Sequence, residues 1–92
     1  MASICIDAAL ADDLYHPPVK RSVEIAGHKT SISLEPLFWN LLRAAAEARS
    51  LPISALVAQI DAERIAARQP TGLAGAIRLW LAAGLQPRLP DQ

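Results

Sequence analysis

The sequence predicts a mainly α-helical domain led by a short N-terminal β-ribbon and completed by a second copy of the same chain. Three observations carry this reading. Residues 22 to 34 alternate apolar and polar side chains with the period of a strand. Three segments with helical apolar spacing follow Pro36. Finally, 52% of the 92 residues are hydrophobic, yet nothing in the chain can staple a small core. A chain this short buries only about 60% of the surface its unfolded form exposes, so its core is marginal. A single cysteine, Cys5, excludes an intrachain disulfide. His16 and His28 lack Cys or acidic companions at ligand spacing, so neither a metal nor a cofactor is expected. A second subunit is the remaining way to stabilise such a core.

Residues 1–19 read as an N-terminal arm. Ser3-Ile4-Cys5-Ile6 suits a brief strand, and Asp7, Asp12 and Asp13 make the next stretch acidic. Those aspartates fall where a secretory signal would be apolar, and no apolar run approaches the roughly 20 residues of a membrane span. With one reduced cysteine, this predicts a cytoplasmic protein without a membrane partner. Tyr15-His16-Pro17-Pro18 follows as an extended linker, because adjacent prolines exclude helix.

The domain itself spans residues 20–86. Val23 and Ile25 share a face before Gly27, as Thr30, Ile32 and Leu34 do after it. A strand is expected from Lys29 to Leu34. A hairpin turning at Gly27-His28, with glycine in the first central position of a type II′ turn, would pair Ile25 with Thr30 and Val23 with Ile32. The opposite face would show Glu24, Lys29, Ser31 and Ser33, with Glu24 beside Ser31 and His28 as a turn residue.

Helix follows at residues 36–49, opened by Pro36, whose missing N–H costs nothing at the first helical position. Its stripe is Phe38, Leu41, Leu42, Ala45 and Arg49, with Trp39 covering the dimer or the arm. Ser50-Leu51-Pro52 breaks it. The next helix runs from about Pro52 to Arg68, with Ile53, Leu56, Val57, Ile60 and Arg64 or Ile65 in line. A third begins after Thr71, its expected N-cap, and carries Leu73, Ile77, Trp80 and Leu81. Gly84 fits the left-handed position past its end, Pro87 prevents continuation, and residues 87–92 form a tail.

Catalytic chemistry finds no support. Asp61 and Glu63 are two apart on a helix and point in different directions. No nucleophile elbow, phosphate-binding glycine loop or nucleotide fingerprint is present.

The ordered set Arg21-Ser22-Val23, Ile25 with Gly27, Thr30-Ser31-Ile32, Leu34-Glu35 and Phe38-Trp39 resembles a bacterial subgroup of the ribbon-helix-helix family. The break before the second helix also matches, as Leu51, Ile53, Ser54 and Leu56. The resemblance implies an intertwined homodimer whose ribbon enters the DNA major groove. It implies Lys29, Ser31 and Ser33 as base readers. Thr30, Ile32, Leu34, Phe38, Leu41, Leu42, Leu56, Val57 and Ile60 would fill the dimer core. The start of the second helix, at Pro52, Ile53 and Ser54, would clamp a phosphate through free backbone N–H groups. Lys20 and Arg21 would grip flanking phosphates.

Net charge is zero, so there is no global pull towards nucleic acid. Residues 15 to 50 are nonetheless mildly basic, with Lys20, Arg21, Lys29, Arg43 and Arg49 against Glu24, Glu35 and Glu47. Two functions remain open. One is a sequence-specific transcriptional regulator on double-stranded DNA. The other is a dimeric protein-interaction module, antitoxin-like or an adaptor, using the third helix or the arm.

Overall fold

The computed structural model describes residues 14–68 and 71–85. The expected strand at Ser3–Ile6 and the tail at residues 87–92 lie outside the described residues. Two strands, β1 (Val19–Ile25) and β2 (His28–Leu34), form an antiparallel hairpin. Three helices follow: α1 (Pro36–Ala48), α2 (Ile53–Ala67) and α3 (Leu73–Leu85).

The hairpin turns at Ala26-Gly27, not at Gly27-His28. Both residues have positive φ, 52° and 84°, the backbone of a type I′ turn, whose twist matches that of the strands. His28 is consequently the first residue of β2 and pairs with Ile25. Val23 opposes Thr30 and Arg21 opposes Ile32, a ladder displaced by two residues from the expected one. The position of the turn fixes this register, and it leaves the start of α1 free. The expected pairing would set Val19 opposite Pro36, which already opens α1, whereas the observed one matches Val19 with Leu34. Because side chains alternate with period two, a two-residue shift keeps every one on its face. Val23, Ile25, Ile32 and Leu34 therefore still point inward together, all buried.

Helix α1 starts at Pro36 as expected and closes with a paired-bond C-terminal motif. The Leu51 N–H donates to the Ala46 carbonyl at 2.9 Å, and the Ser50 N–H to that of Glu47 at 3.0 Å. Ser50 holds the left-handed position at φ 55°, a place glycine usually fills. This tight reversal aims the N-terminus of α2 back at the hairpin. The cap of α3 differs from expectation. The Ala76 N–H bonds the Gly72 carbonyl at 2.9 Å, so Gly72 and not Thr71 precedes the first helical residue. Gly84 lies inside α3, which continues to Leu85, and is not left-handed.

The inward ribbon face packs against Trp39, Leu42 and Ala46 of α1, Leu56, Val57 and Ile60 of α2, and Ile77 and Leu81 of α3. The buried face of α1 is rotated by one residue from the expected stripe. Phe38, Leu41 and Ala45 are half-buried, while Trp39 is 3% exposed and belongs to the core. One residue is about 100° of helix, and apolar residues on both candidate faces made the stripe ambiguous. Trp39 can be buried because its Nε1–H donates to the Val19 carbonyl at 2.9 Å.

Six residues expected to need a shared two-chain core, Ile32, Leu34, Leu42, Leu56, Val57 and Ile60, are closed off within one chain. Thr30, Phe38 and Leu41 from the same expected set are half-buried. The physical reason is that β1 supplies the second strand and α3 an additional helix, the cover a partner was expected to provide. Arg78 fastens α3 to the ribbon. Its Nε donates to Glu35 Oε1 at 3.0 Å and its Nη2 to the Ser33 carbonyl at 3.2 Å. The Glu35 carboxyl is held below the usual range, first by hydrogen bonding to its own backbone amide and then by the Arg78 guanidinium.

Candidate nucleic-acid interface

The outward face of the hairpin carries three cross-strand pairs: Lys20 with Ser33, Ser22 with Ser31, and Glu24 with Lys29. All but the half-buried Ser33 are exposed. Lys29, Ser31 and Ser33 thus share one face, as the alternation required. Two neighbours sit differently from expectation. Glu24 stands opposite Lys29 instead of Ser31, a direct result of the two-residue register shift. Lys20 and Arg21, expected to act as one phosphate pair, are separated by the pleat. Lys20 joins the outward face, while Arg21 shares the parity of Ile32 and places its guanidinium 5.5 Å from the Trp39 ring centroid.

That stacking brings Arg21 to the flank where α2 begins. Pro52, in extended conformation, precedes α2 and offers no side-chain cap. Its carbonyl accepts from the Ala55 and Leu56 N–H groups at 3.1 and 3.2 Å. The Ile53 and Ser54 N–H groups are left without a helical acceptor, as first-turn donors are, and carry the positive end of the helix dipole. Arg21, Ser22, Val23 and Glu24 of β1, Trp39 and Arg43 of α1, and Ile53 and Ser54 of α2 line one concavity of ≈ 280 Å³. Three of the expected phosphate residues therefore meet in a single place, and Lys20 does not join them.

Arg43 is the residue that sequence reading missed. It lies one helical turn after Trp39, so the two share a side of α1, and its Nη1 donates to Asn40 Oδ1 at 2.9 Å. The signal that pointed to it was this spacing, readable only once Trp39 was known to face the ribbon. The concavity suits an anion. Two arginines, two serines and two helix-start residues with free amides line it, opposed by Glu24.

A ribbon-helix-helix domain model matches residues 18–85. The chain belongs to the ribbon-helix-helix family. No curated protein and no solved structure matches it. In this ribbon-helix-helix chain the ribbon is a hairpin closed within one polypeptide, with α1 and α2 as the two helices of the family name and α3 added.

Away from the ribbon, α3 presents an apolar surface. Trp80 is half-buried, with the Arg49 guanidinium 4.7 Å from its ring centroid. A concavity of ≈ 570 Å³ opens beside it, bounded by Leu41, Ala44, Ala45 and Leu85, and another of ≈ 290 Å³ adjoins Ile60 and Leu79. Ile65, Leu79 and Leu85 are 62%, 63% and 66% exposed. Asp61 is engaged by Arg64 at 2.7 Å. Among the described residues no cluster of three His, Cys, Asp or Glu side chains could hold a metal, and no helix is long and apolar enough to cross a membrane.

Proposed function

We propose that this ribbon-helix-helix domain is a sequence-specific DNA-binding transcriptional regulator acting in the cytoplasm as a homodimer, with no catalytic role. The observation that carries the reading is the placement of an anion-suited concavity directly on the flank of a polar two-stranded ribbon. The major groove, about 12 Å wide, admits a two-stranded ribbon. Lys29, Ser31 and Ser33 then face base edges, with Lys20 and Ser22 from the other strand. A phosphate beside the groove meets Arg21, Arg43 and the Ile53 and Ser54 amides. Self-association is supported by the exposed Leu79 and Leu85 beside Trp80, apolar surface that the core of one chain leaves in water.

The test is a binding titration of the purified protein on the DNA upstream of its own coding region, across a salt series. Affinity should fall steeply with salt, since each neutralised phosphate contributes a slope of about 0.9 in log–log form. Arg43→Ala and Arg21→Ala should each weaken all sequences alike and lower that slope by about one. Salt-independent binding, or unchanged slopes in both variants, refutes the phosphate site.

The same apolar surface at Trp80 favours a second reading, a protein-interaction module of the antitoxin or adaptor kind. Absence of sequence preference in a randomised-site selection at low salt makes it the better account.

A further inference from the structure

We propose that Glu24 and Lys29 act as one specificity element that reads a single C·G base pair, Lys29 donating to guanine and Glu24 accepting from cytosine. The inference rests on the ribbon meeting DNA and goes further, because it assigns a base-reading role to an acidic residue of the ribbon. Four observations lead to it. The two side chains are directly opposed in the ladder, both are exposed, and they share the outward face with Ser22 and Ser31. Among the described residues the ion pairs are Arg64–Asp61 and Arg78–Glu35, so neither Glu24 nor Lys29 is engaged in one. They are the last outward pair before the Ala26-Gly27 turn, which carries nothing larger than a methyl group. Finally, Glu24 also borders the concavity on the β1 flank.

The chemistry selects the base pair. An ionised carboxylate only accepts hydrogen bonds and an ammonium only donates them. On a ribbon pressed into the major groove, Glu24 is tolerated only where the DNA presents a donor. Opposed side chains have Cβ atoms about 4.5–5.5 Å apart, close enough to address one base-pair edge together. The G·C edge runs acceptor, acceptor, donor: guanine N7 and O6, then the cytosine N4 amine. One cation beside one anion matches that order. The A·T edge sets its donor between two single acceptors and ends in the thymine methyl group, so beside a carboxylate on adenine N6 the lysine finds one acceptor, whereas on G·C it finds the adjacent N7 and O6. Where Glu24 meets an acceptor or the thymine methyl group it repels, and this penalty sharpens discrimination by disfavouring wrong partners.

The experiment is a randomised-site selection on the full chain, followed by titration of the selected duplex and of the same duplex with the assigned C·G pair changed to T·A. Unmutated protein, Glu24→Ala, Glu24→Gln and Lys29→Ala are compared, each first checked for an unchanged circular dichroism spectrum. The unmutated chain should prefer C·G by roughly 5- to 140-fold, the range of a good base contact. Glu24→Ala should bind non-specific DNA more tightly while losing part of that preference, the remainder being held by Lys29. Glu24→Gln should move it towards adenine, which a glutamine amide pairs through N6 and N7. Lys29→Ala should weaken the C·G duplex most. If Glu24→Ala retains the full C·G preference, or the selected sites contain no fixed C·G pair, the specificity element is refuted while DNA binding stands. If the unmutated chain selects no sequence at low salt, both readings fall together.

Discussion

Truncating Ile32 tests the central claim that one hairpin face closes the core of a single chain. Its side chain is 2% exposed, on the inward face of β2 among Val23, Ile25 and Leu34. Ile32→Ala removes three heavy atoms from this packing, and the neighbours that would have to collapse inward sit on a ladder paired from Val19 to Leu34. Little relaxation is available, so the loss should lie within about 2–5 kcal/mol for such truncations. A domain of this size holds only about 5–14 kcal/mol in total, and each kcal/mol shifts Tm by roughly 4–8 °C. A loss of about 3 kcal/mol therefore lowers Tm by roughly 12–24 °C. The control is Ser31→Ala one position away, on the exposed face, which should cost under about 0.5 kcal/mol. Urea unfolding followed by far-ultraviolet circular dichroism measures both. Equal losses at the two positions, or a loss below about 1 kcal/mol at Ile32, would refute the assignment of faces.

Two further outcomes concern the turn and the Arg78 staple. Ala26 occupies a left-handed conformation at φ 52°, and Asn-Gly is the favoured pair for a type I′ turn, so Ala26→Asn should stabilise by up to about 1 kcal/mol, seen as a raised urea midpoint. The Glu35 carboxyl titrates below its usual value of 4.5 in the folded chain, with backbone hydrogen bonding and Arg78 as causes. Its contribution is therefore present above the unfolded pKa and lost as pH falls through the lower, folded one. Glu35→Gln should flatten the acid limb of the stability profile below about pH 4.5, and an unchanged limb would remove Glu35 from the account.

How much of this was legible beforehand differs from element to element. The outward face of the ribbon was readable because period-two alternation survives a register error of two residues, and Lys29, Ser31 and Ser33 stayed together for that reason. The turn was not, since Ala26 hides a positive φ that local propensity assigns to glycine. Pro36 and Pro52 marked helix boundaries well, because a missing N–H is a local matter. Helix α1 was harder. Phe38, Trp39, Leu41 and Leu42 spread apolar side chains over an arc of about 160°, wider than one stripe, and only tertiary packing decides which part faces inward. Arg43 followed Trp39 into obscurity. The closure of the core within one chain was equally invisible, because it depends on β1 pairing with β2 and on α3 packing into the same core.

The two tryptophans of this chain occupy unlike places, and that gives the protein a pair of internal optical reporters. Trp39 is enclosed beneath Arg21, at the edge of the anion-suited concavity. Trp80 sits half in water between the two apolar depressions of α3. Emission from the first should be blue-shifted and shielded from soluble quenchers until the ribbon flank is disturbed, whereas the second should respond to whatever covers α3. With Trp80→Phe the remaining fluorescence follows events at the flank, and with Trp39→Phe it follows association, so engagement of nucleic acid and pairing of subunits can be timed separately in one unlabelled molecule.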